Sequence, residues 1–226
     1  MRLGDLNPLR WLRALERWWL LYHLGDTRFR FMWDPPPPDE YVALDCETTG
    51  LDVQRDEIIA IAAVRIVGDR ILTSERLELL VRPEKRKVSP ESVRVHRLRE
   101  RDVAAGVEPA EAARRLMHFI GSRPLVGYYL EFDLKMLHRI LWPILGMGLP
   151  QPTFEVSGMY YDYKLRRVLP QDRDRTIDLR FATLMKDLQL PQREAHDALN
   201  DAVMAALAFV KLRHLDRRGR FTSVHP

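Results

Sequence analysis

Apolar residues occur along the chain in two patterns, β-type runs that predict strands and helical spacing that predicts helices. An apolar β-type run begins at Tyr41, and the runs 57–67 and 70–81 are rich in β-branched residues and joined by Gly68-Asp69. This dipeptide between two such runs is a strong hairpin signal, so we predict three neighbouring, largely antiparallel strands. A fourth, short strand is predicted at residues 125–127.

Apolar residues at helical spacing dominate the second half of the chain. A short helical turn is predicted from Pro90 to Leu98, and longer helices are predicted over residues 109–120, 131–145, 178–188 and 196–212. Pro143 should kink or end the second of these longer helices. Residues 146–175 are predicted to be rich in loops. The whole pattern predicts an α/β fold with a mixed β-sheet, the first strand at its centre, and helices on both faces.

The N-terminal segment is distinct because it holds four of the five tryptophans. Trp11, Trp18, Trp19 and Tyr22 recur at helical spacing among arginines, which predicts an amphipathic helix over about residues 8–24. We expect the apolar face of this helix to pack on the chain's own main domain. Docking on a protein partner or on a membrane surface is the alternative.

The same segment marks a domain boundary. Pro35 to Pro38 form a stiff spacer, so we interpret residues 1–38 as an appendage, residues 39–215 as one domain and residues 216–226 as a basic tail. The longest apolar run of the segment, residues 18–22, is far shorter than the about 20 residues that a membrane span needs. No membrane span is predicted.

Composition narrows the function only slightly. The chain has 226 residues, 46% of them hydrophobic and 30% charged, which is typical of a globular protein. Its net charge of +4 leans towards anionic partners such as nucleic acid. Cys46 is the sole cysteine, which excludes an internal disulfide and a thiolate-cluster metal site. A cytoplasmic location is therefore expected.

Asp45 and Glu47 are the first candidates for chemistry. They lie two residues apart at the end of the first strand, so their side chains point to one face while Cys46 points to the core. Two acids buried together are costly unless a cation lies between them, which favours a metal site. For an isolated Asp-x-Glu, the alternative is a solvated turn before Gly50.

Two later segments supply further acids and a histidine. Asp133 follows the fourth strand at the start of a helix, where a lone aspartate is usually a helix cap or a first-turn partner of the helix dipole. His196 and Asp201 lie five residues apart across another helix start. Taken singly, they would be interpreted as a loop histidine and a surface acid.

Together, in this order and spacing, these segments resemble the motifs of the DEDD superfamily of 3′-5′ exonucleases. The subgroup is the His-containing one, typified by the proofreading subunit of bacterial replicative DNA polymerase. The resemblance covers about residues 39–215 and implies a ribonuclease H-like fold. Its motifs are Asp45-Cys46-Glu47-Thr48-Thr49-Gly50-Leu51, then Val126-Gly127 through Phe132-Asp133, and finally His196 followed by Asp201.

The resemblance implies a metal site and a general base. Two divalent cations, Mg²⁺ or Mn²⁺, would be held by Asp45, Glu47, Asp133 and Asp201, because hard oxygen ligands suit these ions. His196 would act as the general base, since a histidine pKa near about 6.5 lets it accept a proton at neutral pH.

Contacts to the substrate are implied less fully. Thr48 and Leu51 are expected to touch the terminal nucleotide. His96 lies in a segment, Val95-His96-Arg97-Leu98, that is similar to a Val/Ile-His-Gly-Ile sequence of the family, or else it caps local structure. The chain has Tyr128-Tyr129 where many relatives carry His-Asn, so those contacts are not transferred. Tyr129 either stacks on a base or belongs to the core.

The implied function is hydrolysis of phosphodiesters at nucleic-acid 3′ ends, with release of nucleoside 5′-monophosphates. Single-stranded or frayed DNA is the expected substrate. One alternative is an RNA-trimming, oligoribonuclease-like exonuclease, since the same motifs serve both sugars. Another is an accessory binding module of a replication or repair assembly, with the N-terminal helix as its contact to a protein partner.

Overall fold

A mixed β-sheet lies at the centre of the computed structural model, which describes residues 8–86, 88, 90–167, 176–193 and 197–215. Its strands among these residues are β1 (Glu40–Thr48), β2 (Ile58–Val67), β3 (Arg70–Leu80), β4 (Leu125–Gly127) and β5 (Thr153–Glu155). Their order is β3-β2-β1-β4-β5. β1, β2 and β3 pair antiparallel, whereas β4 and β5 continue the sheet parallel to β1. The predicted mixed sheet with the first strand at its centre is confirmed.

Helices cover both faces of this sheet. In the described part of the chain they are α1 (Pro8–His23), a 3₁₀ helix (Thr27–Trp33), α2 (Pro90–His96), α3 (Glu100–Val103), α4 (Pro109–Ile120), α5 (Leu130–Leu145), α6 (Val156–Leu165), α7 (Phe181–Asp187) and α8 (Ala198–Leu215). α4 and α5 share one hydrophobic core with Val42, Leu44 and Cys46 of β1. α6, α7 and α8 share a second core with Ala43. The predicted core position of Cys46 and the helices on both faces are confirmed.

Several predicted boundaries match the structure. The hairpin between β2 and β3 turns at Gly68, whose φ of 61° is in the left-handed region that favours glycine. α4 ends at Ile120, immediately before Gly121. α5 continues to Leu145, so Pro143 lies in its last turn and does not end it early.

The region after α5 contains two elements that the sequence does not predict and one helix that begins later than predicted. Residues 146–175 are predicted to be rich in loops, and β5 and α6 also lie within them. β5 has three residues and α6 contains Gly158, so neither gives a clear periodic signal. The helix predicted to begin at Asp178 begins at Phe181, because the Asp178 carboxylate accepts hydrogen bonds from the backbone N–H of Arg180 and the hydroxyl of Thr183.

The prediction that the aromatic face of α1 packs on the main domain is wrong for the side chains that the structure describes. Trp18, Trp19 and Tyr22 are 63%, 55% and 74% exposed. Trp11 lies within α1, but its side chain is outside the described part. α1 contacts the rest of the chain through partly buried Leu21 and through an ion pair of Arg17 with Asp34 at 2.8 Å. No described helix has the length and apolar character needed to cross a membrane.

The 3₁₀ helix, and not the aromatic face of α1, is the N-terminal element that packs into the core of the main domain. Phe29 and Met32 are each 2% exposed and belong to the core that contains α4 and α5. Gln151 Nε2 donates hydrogen bonds to the carbonyl oxygens of Met32, at 3.2 Å, and of Gly121, at 2.8 Å. This segment occupies apolar surface beside α4 and α5, whereas Trp18, Trp19 and Tyr22 of α1 are exposed.

Candidate active site

Asp45 and Glu47 lie on one face of β1, close to its carboxyl end. In the pairing of β1 with β2 they lie opposite Ala62 and Ala60, and they point to the same side of the sheet as Ala43. The register between β1 and β2 shifts immediately after Glu47, which ends the regular pairing. The small alanine side chains leave room for a helix to approach the two acids.

α8 brings a third acid to this face. Ala202 and Ala205 of α8 are 0% and 1% exposed, and the helix packs across β1 and β2. Their small side chains allow the helix and sheet backbones to come close together. Asp201 lies in the first turn of α8. One oxygen from each of Asp45, Glu47 and Asp201 lies within 4.8 Å of the others, so the structure brings these three candidate residues together.

Asp133 reaches the site on α5, from the other side of the sheet. The chain turns sharply from β4 into α5 through Tyr129, whose φ of 55° and ψ of 33° are left-handed. A Cβ at Gly127 would lie 2.9 Å from Leu130 Cδ1, so glycine permits this close turn. Asp133 is 4% exposed and accepts a hydrogen bond from the backbone N–H of Cys46. Its carboxylate therefore lies against β1, next to the other acids.

Burial and mutual repulsion favour protons on these acids. Burial raises the pKa of Asp45 well above its ordinary value, and the charges of the neighbouring acids raise it further. Burial, followed by the charges of Asp201 and Asp197, raises the pKa of Glu47 to about 7. Burial is also the main cause that raises the pKa of Asp133. A cation bound among the acids would offset this repulsion.

Asp56 holds the loop that follows β1. Its carboxylate accepts a hydrogen bond from the Thr49 hydroxyl at 3.0 Å. A Cβ at Gly50 would lie 2.5 Å from the same carboxylate, so a larger residue at this position would displace Asp56. Arg139 of α5 donates a hydrogen bond to the carbonyl oxygen of Asp56. This hydrogen bond connects the loop after β1 to α5, the helix that carries Asp133.

Thr48 and Leu51, the nucleotide contacts implied by the sequence, differ in their environments. Thr48 is 8% exposed, and its hydroxyl donates to the carbonyl oxygen of Gly50 at 2.6 Å. Leu51 is 85% exposed on the loop after the acids. Thr48 therefore shapes the turn, whereas the apolar side chain of Leu51 is available to a base or sugar.

His96 lines a cavity beside Glu47. The cavity has a volume of about 300 Å³, and its walls also include Leu98, Asp197 and Leu199. His96 is 6% exposed, and its Nδ1 accepts a hydrogen bond from the backbone N–H of Leu98 at 3.1 Å. The ring thus stabilises a local turn and also forms part of the cavity wall.

Tyr128 and Tyr129 have different roles in the packing. The Tyr128 hydroxyl donates to the carbonyl oxygen of Leu179 at 2.8 Å, and its ring stacks on Phe181 with centroids 4.2 Å apart. Burial raises the pKa of Tyr128 to about 12. Tyr129 is 62% exposed. Of these two rings, that of Tyr129 is therefore the one available to a base.

The segments that carry these acids match a known protein family. A model of the RNase_T family, described as exonuclease, matches residues 42–209. The chain belongs to this exonuclease family. The crystal structure of E. coli exonuclease I in complex with a dA16 oligonucleotide has a similar fold. It superposes on this chain with a TM-score of 0.67 at 18% identity, over 80% of this chain and 42% of that one. The predicted ribonuclease H-like fold is confirmed.

Sequence relatives of this exonuclease carry the names of DNA polymerase III subunits. A DNA polymerase III subunit epsilon-like protein of Rhodobacter capsulatus is 33% identical over 173 residues, which are 76% of this chain and 23% of that protein. The DNA polymerase III subunit epsilon of Aquifex aeolicus is 25% identical over 174 residues, 76% of this chain and 79% of the relative. The exonuclease thus spans about a quarter of the length of the Rhodobacter relative.

The acids of this exonuclease fit the divalent metal ions on which its family depends. Carboxylate oxygens are preferred ligands of Mg²⁺ and Mn²⁺. Oxygens within 4.8 Å of one another can meet at one ion after small side-chain rotations. The residues that would hold it are Asp45, Glu47 and Asp201, with Asp133 adjacent.

His196, the predicted general base, lies outside the described residues. Asp197, to which the sequence interpretation gives no role, lies at the site. Its carboxylate accepts a hydrogen bond from the backbone N–H of Asn200 at 2.9 Å, which caps α8, and it lines the cavity beside Glu47. An aspartate immediately before an Ala-rich helix is a capping signal that could have identified it.

Proposed function

We propose that this exonuclease removes nucleoside 5′-monophosphates from nucleic-acid 3′ ends in a divalent-metal-dependent reaction, with single-stranded or frayed DNA as substrate. The observation that carries the proposal is the convergence of Asp45, Glu47 and Asp201 within 4.8 Å in a member of an exonuclease family. The names of the relatives support the choice of DNA. One is a subunit epsilon of DNA polymerase III, and the fold neighbour from E. coli is in complex with a dA16 oligonucleotide.

Charge repulsion is the barrier that the site has to overcome, because the phosphodiester and an attacking hydroxide are both anions. When bound, a pair of divalent cations neutralises the phosphate charge and activates water for attack. Asp45 and Glu47 would hold the cations from β1, Asp201 from α8 and Asp133 from α5. Mg²⁺ or Mn²⁺ is proposed because every proposed ligand atom is a carboxylate oxygen.

His196 is proposed as the general base. A neutral imidazole with a pKa near about 6.5 accepts a proton at neutral pH, whereas carboxylates that bind cations are poor bases. His196 lies two residues before Ala198, the first residue of α8, and five residues before Asp201 in the sequence. This spacing would place the base beside the first turn that carries the third acid.

The exposed side chains around the acids are proposed to hold the last nucleotide. Leu51 and Tyr129 present apolar surface to solvent, and His96 forms part of the wall of the cavity beside Glu47. Stacking of a base on an aromatic ring contributes about 1–3 kcal/mol and does not depend strongly on the base. Such contacts favour a splayed 3′ end over a paired one.

The direct test is an assay of nucleotide release by the full-length protein. Oligonucleotides labelled at the 3′ or the 5′ end are supplied as single-stranded DNA, mismatched duplex DNA and RNA, each with Mg²⁺, Mn²⁺ or chelator. We expect early release of the 3′ label as a mononucleotide, a ladder of shortened 5′-labelled products, and no reaction in chelator. Faster cleavage of RNA than of DNA would favour the RNA-trimming alternative.

A matched pair of variants ties any activity to the site. Asp201→Asn removes one proposed ligand, and it should abolish metal-dependent release while the protein stays folded. Glu131→Gln changes an exposed acid of α5 that pairs with Lys135 at 2.7 Å, and it should leave release unchanged. Equal rates for Asp201→Asn and wild type, with contaminating nucleases excluded, would refute the site assignment.

A further inference from the structure

Glu155, the last residue of β5, connects the starts of two helices. Its Oε1 accepts hydrogen bonds from the backbone N–H of Tyr129 at 3.0 Å, from the backbone N–H of Ser157 at 3.0 Å and from the Ser157 hydroxyl at 2.7 Å. Its Oε2 accepts a hydrogen bond from the backbone N–H of Leu130 at 2.8 Å. Ser157 is in the first turn of α6, whereas Tyr129 and Leu130 begin α5. One carboxylate therefore joins α5 to the sheet and to α6.

The start of α5 depends on this carboxylate for its capping. Tyr129 is the N-cap residue, and among the described residues its own side chain makes no capping hydrogen bond. Its backbone is left-handed, a conformation that a residue other than glycine holds when the surrounding structure fixes it. Glu155 supplies the acceptors that the helix start needs, and its negative charge is favourable at a helix N-terminus.

The placement of this helix start decides where Asp133 lies. Asp133 is three residues after Leu130, about one helical turn. It is 4% exposed, and its carboxylate is bound to the backbone N–H of Cys46 in β1. β4, which leads into α5, has three residues, so a long strand pairing does not fix the helix. A small rotation or slide of α5 would move the Asp133 carboxylate relative to Asp45.

We propose that Glu155 is a positioning residue of the metal site, which acts by fixing the first turn of α5 and thereby the carboxylate of Asp133 against β1. The proposal deepens the proposed metal-dependent hydrolysis and rests on it. Glu155 itself is given no contact with metal or substrate. It acts through the backbone N–H groups of Tyr129 and Leu130, which donate hydrogen bonds to its two different oxygens.

A single substitution separates this role from simple space filling. Glu155→Gln keeps the length and shape of the side chain but leaves one oxygen acceptor, so its amide NH₂ would face one of the two N–H groups at the start of α5. The matched control is Ser157→Ala. It removes one hydrogen bond to the same carboxylate at the α6 side and leaves both bonds to α5 in place.

The experiment uses the full-length chain and measures two quantities for wild type, E155Q and S157A. Mn²⁺ affinity is titrated by electron paramagnetic resonance of free Mn²⁺, without substrate. kcat and KM are then measured separately on a single-stranded oligonucleotide. For E155Q we expect Mn²⁺ affinity and kcat to fall about 10-fold, the lower end of the loss seen when the orientation of a metal ligand is disturbed. A rise in KM with Mn²⁺ affinity and kcat unchanged would instead show that Glu155 acts only on the placement of Tyr129, a proposed nucleotide contact. S157A should match wild type in both quantities.

The opposite results would overturn the proposal. Folded E155Q with the Mn²⁺ affinity and kcat of wild type would show that Glu155 does not position the site. Equal losses in E155Q and S157A would show a general structural role. Should E155Q fail to fold, amide hydrogen exchange of the wild type decides instead: the amides of Tyr129 and Leu130 are expected to be protected, and exchange at the rate of an unprotected helix start would refute the role.

Failure of the proposed function can be told apart from failure of this inference. If the wild type releases no nucleotide from any substrate, the proposed hydrolysis fails. The Mn²⁺ titrations and the amide exchange still report whether Glu155 holds α5 and Asp133 in place. If the wild type is active and the variants do not differ, the inference about Glu155 fails alone.

Discussion

Replacing Glu47 with glutamine should stabilise the metal-free protein at alkaline pH and change it little at acid pH. Burial and the charges of Asp201 and Asp197 raise the pKa of Glu47 from its ordinary 4.5 to about 7 in the folded protein. In the unfolded chain the side chain loses its proton near 4.5. Between these two values the folded protein binds more protons than the unfolded chain, so its stability falls as the pH rises. A glutamine carries no charge at either pH and removes this fall.

The size of the effect follows from the two pKa values. One pKa unit is worth about 1.4 kcal/mol, so the change from 4.5 to about 7 corresponds to about 3 kcal/mol above neutral pH. This is an upper value, because Glu47 is partly exposed and solvent and salt screen its charge. For a domain of this size, 1 kcal/mol moves the melting temperature by about 2–4 °C. The expected difference at alkaline pH is therefore up to about 6–12 °C.

Thermal unfolding in chelator tests this reasoning. Wild type and Glu47→Gln are melted at about pH 5 and about pH 8, on either side of the raised pKa. Glu131→Gln is the control, because it removes one negative charge at an exposed position of α5. Adding Mn²⁺ at the higher pH should raise the melting temperature of wild type more than that of Glu47→Gln. A difference between wild type and Glu47→Gln that stays the same at both pH values would refute the repulsion argument.

Three further outcomes are expected. His196→Ala should lower the single-turnover rate about 100-fold or more with Mn²⁺ affinity unchanged; weak metal binding with a normal rate per bound metal would make His196 a ligand instead. Deleting residues 1–23 should change the melting temperature little, whereas deleting residues 1–38 also removes buried Phe29 and should cost at least about 3 kcal/mol; equal melting temperatures of the two truncations would contradict this. Gly127→Ala places a methyl group 2.9 Å from Leu130 Cδ1, so the start of α5 should shift and kcat should fall even though the protein stays folded. An unchanged kcat would contradict the tight turn.

Local patterns are enough to find the parts of the site that lie within single elements. Strand alternation predicts that Asp45 and Glu47 share a face opposite Cys46, and the structure confirms it. Pro109 and Gly121 mark the ends of α4 in the sequence and in the structure. In each case the signal is carried by residues within a few positions of the feature that they determine.

Contacts between distant segments leave no such signal. Glu155 accepts hydrogen bonds from N–H groups 25 and 26 residues earlier in the chain, and nothing in its local sequence marks it. The burial of Phe29 depends on α4 and α5, which lie far along the chain. The aromatic spacing of α1 likewise predicts a helix, but it does not show that Phe29 and Met32 of the next segment, rather than Trp18, pack into the core.

The site lies where the two cores of the protein meet at the end of β1. β1 and β4 run parallel, so the residues that follow them arrive at the same edge of the sheet. Asp45 and Glu47 face α8, whereas Asp133 arrives on α5 from the other face, so the relative placement of α5 and α8 sets the distances between the acids. The start of each helix is held by a further carboxylate, Asp197 for α8 and Glu155 for α5.

These two capping carboxylates also act on the site through their charge. Asp197 contributes to the raised pKa of Glu47, after burial and Asp201, and Glu155 contributes to the raised pKa of Asp133, after burial and Glu47. The groups that fix the helices thus increase the repulsion among the acids that the helices carry. Because that repulsion is relieved when cations bind, the same residues that position the site also strengthen its demand for a divalent metal ion.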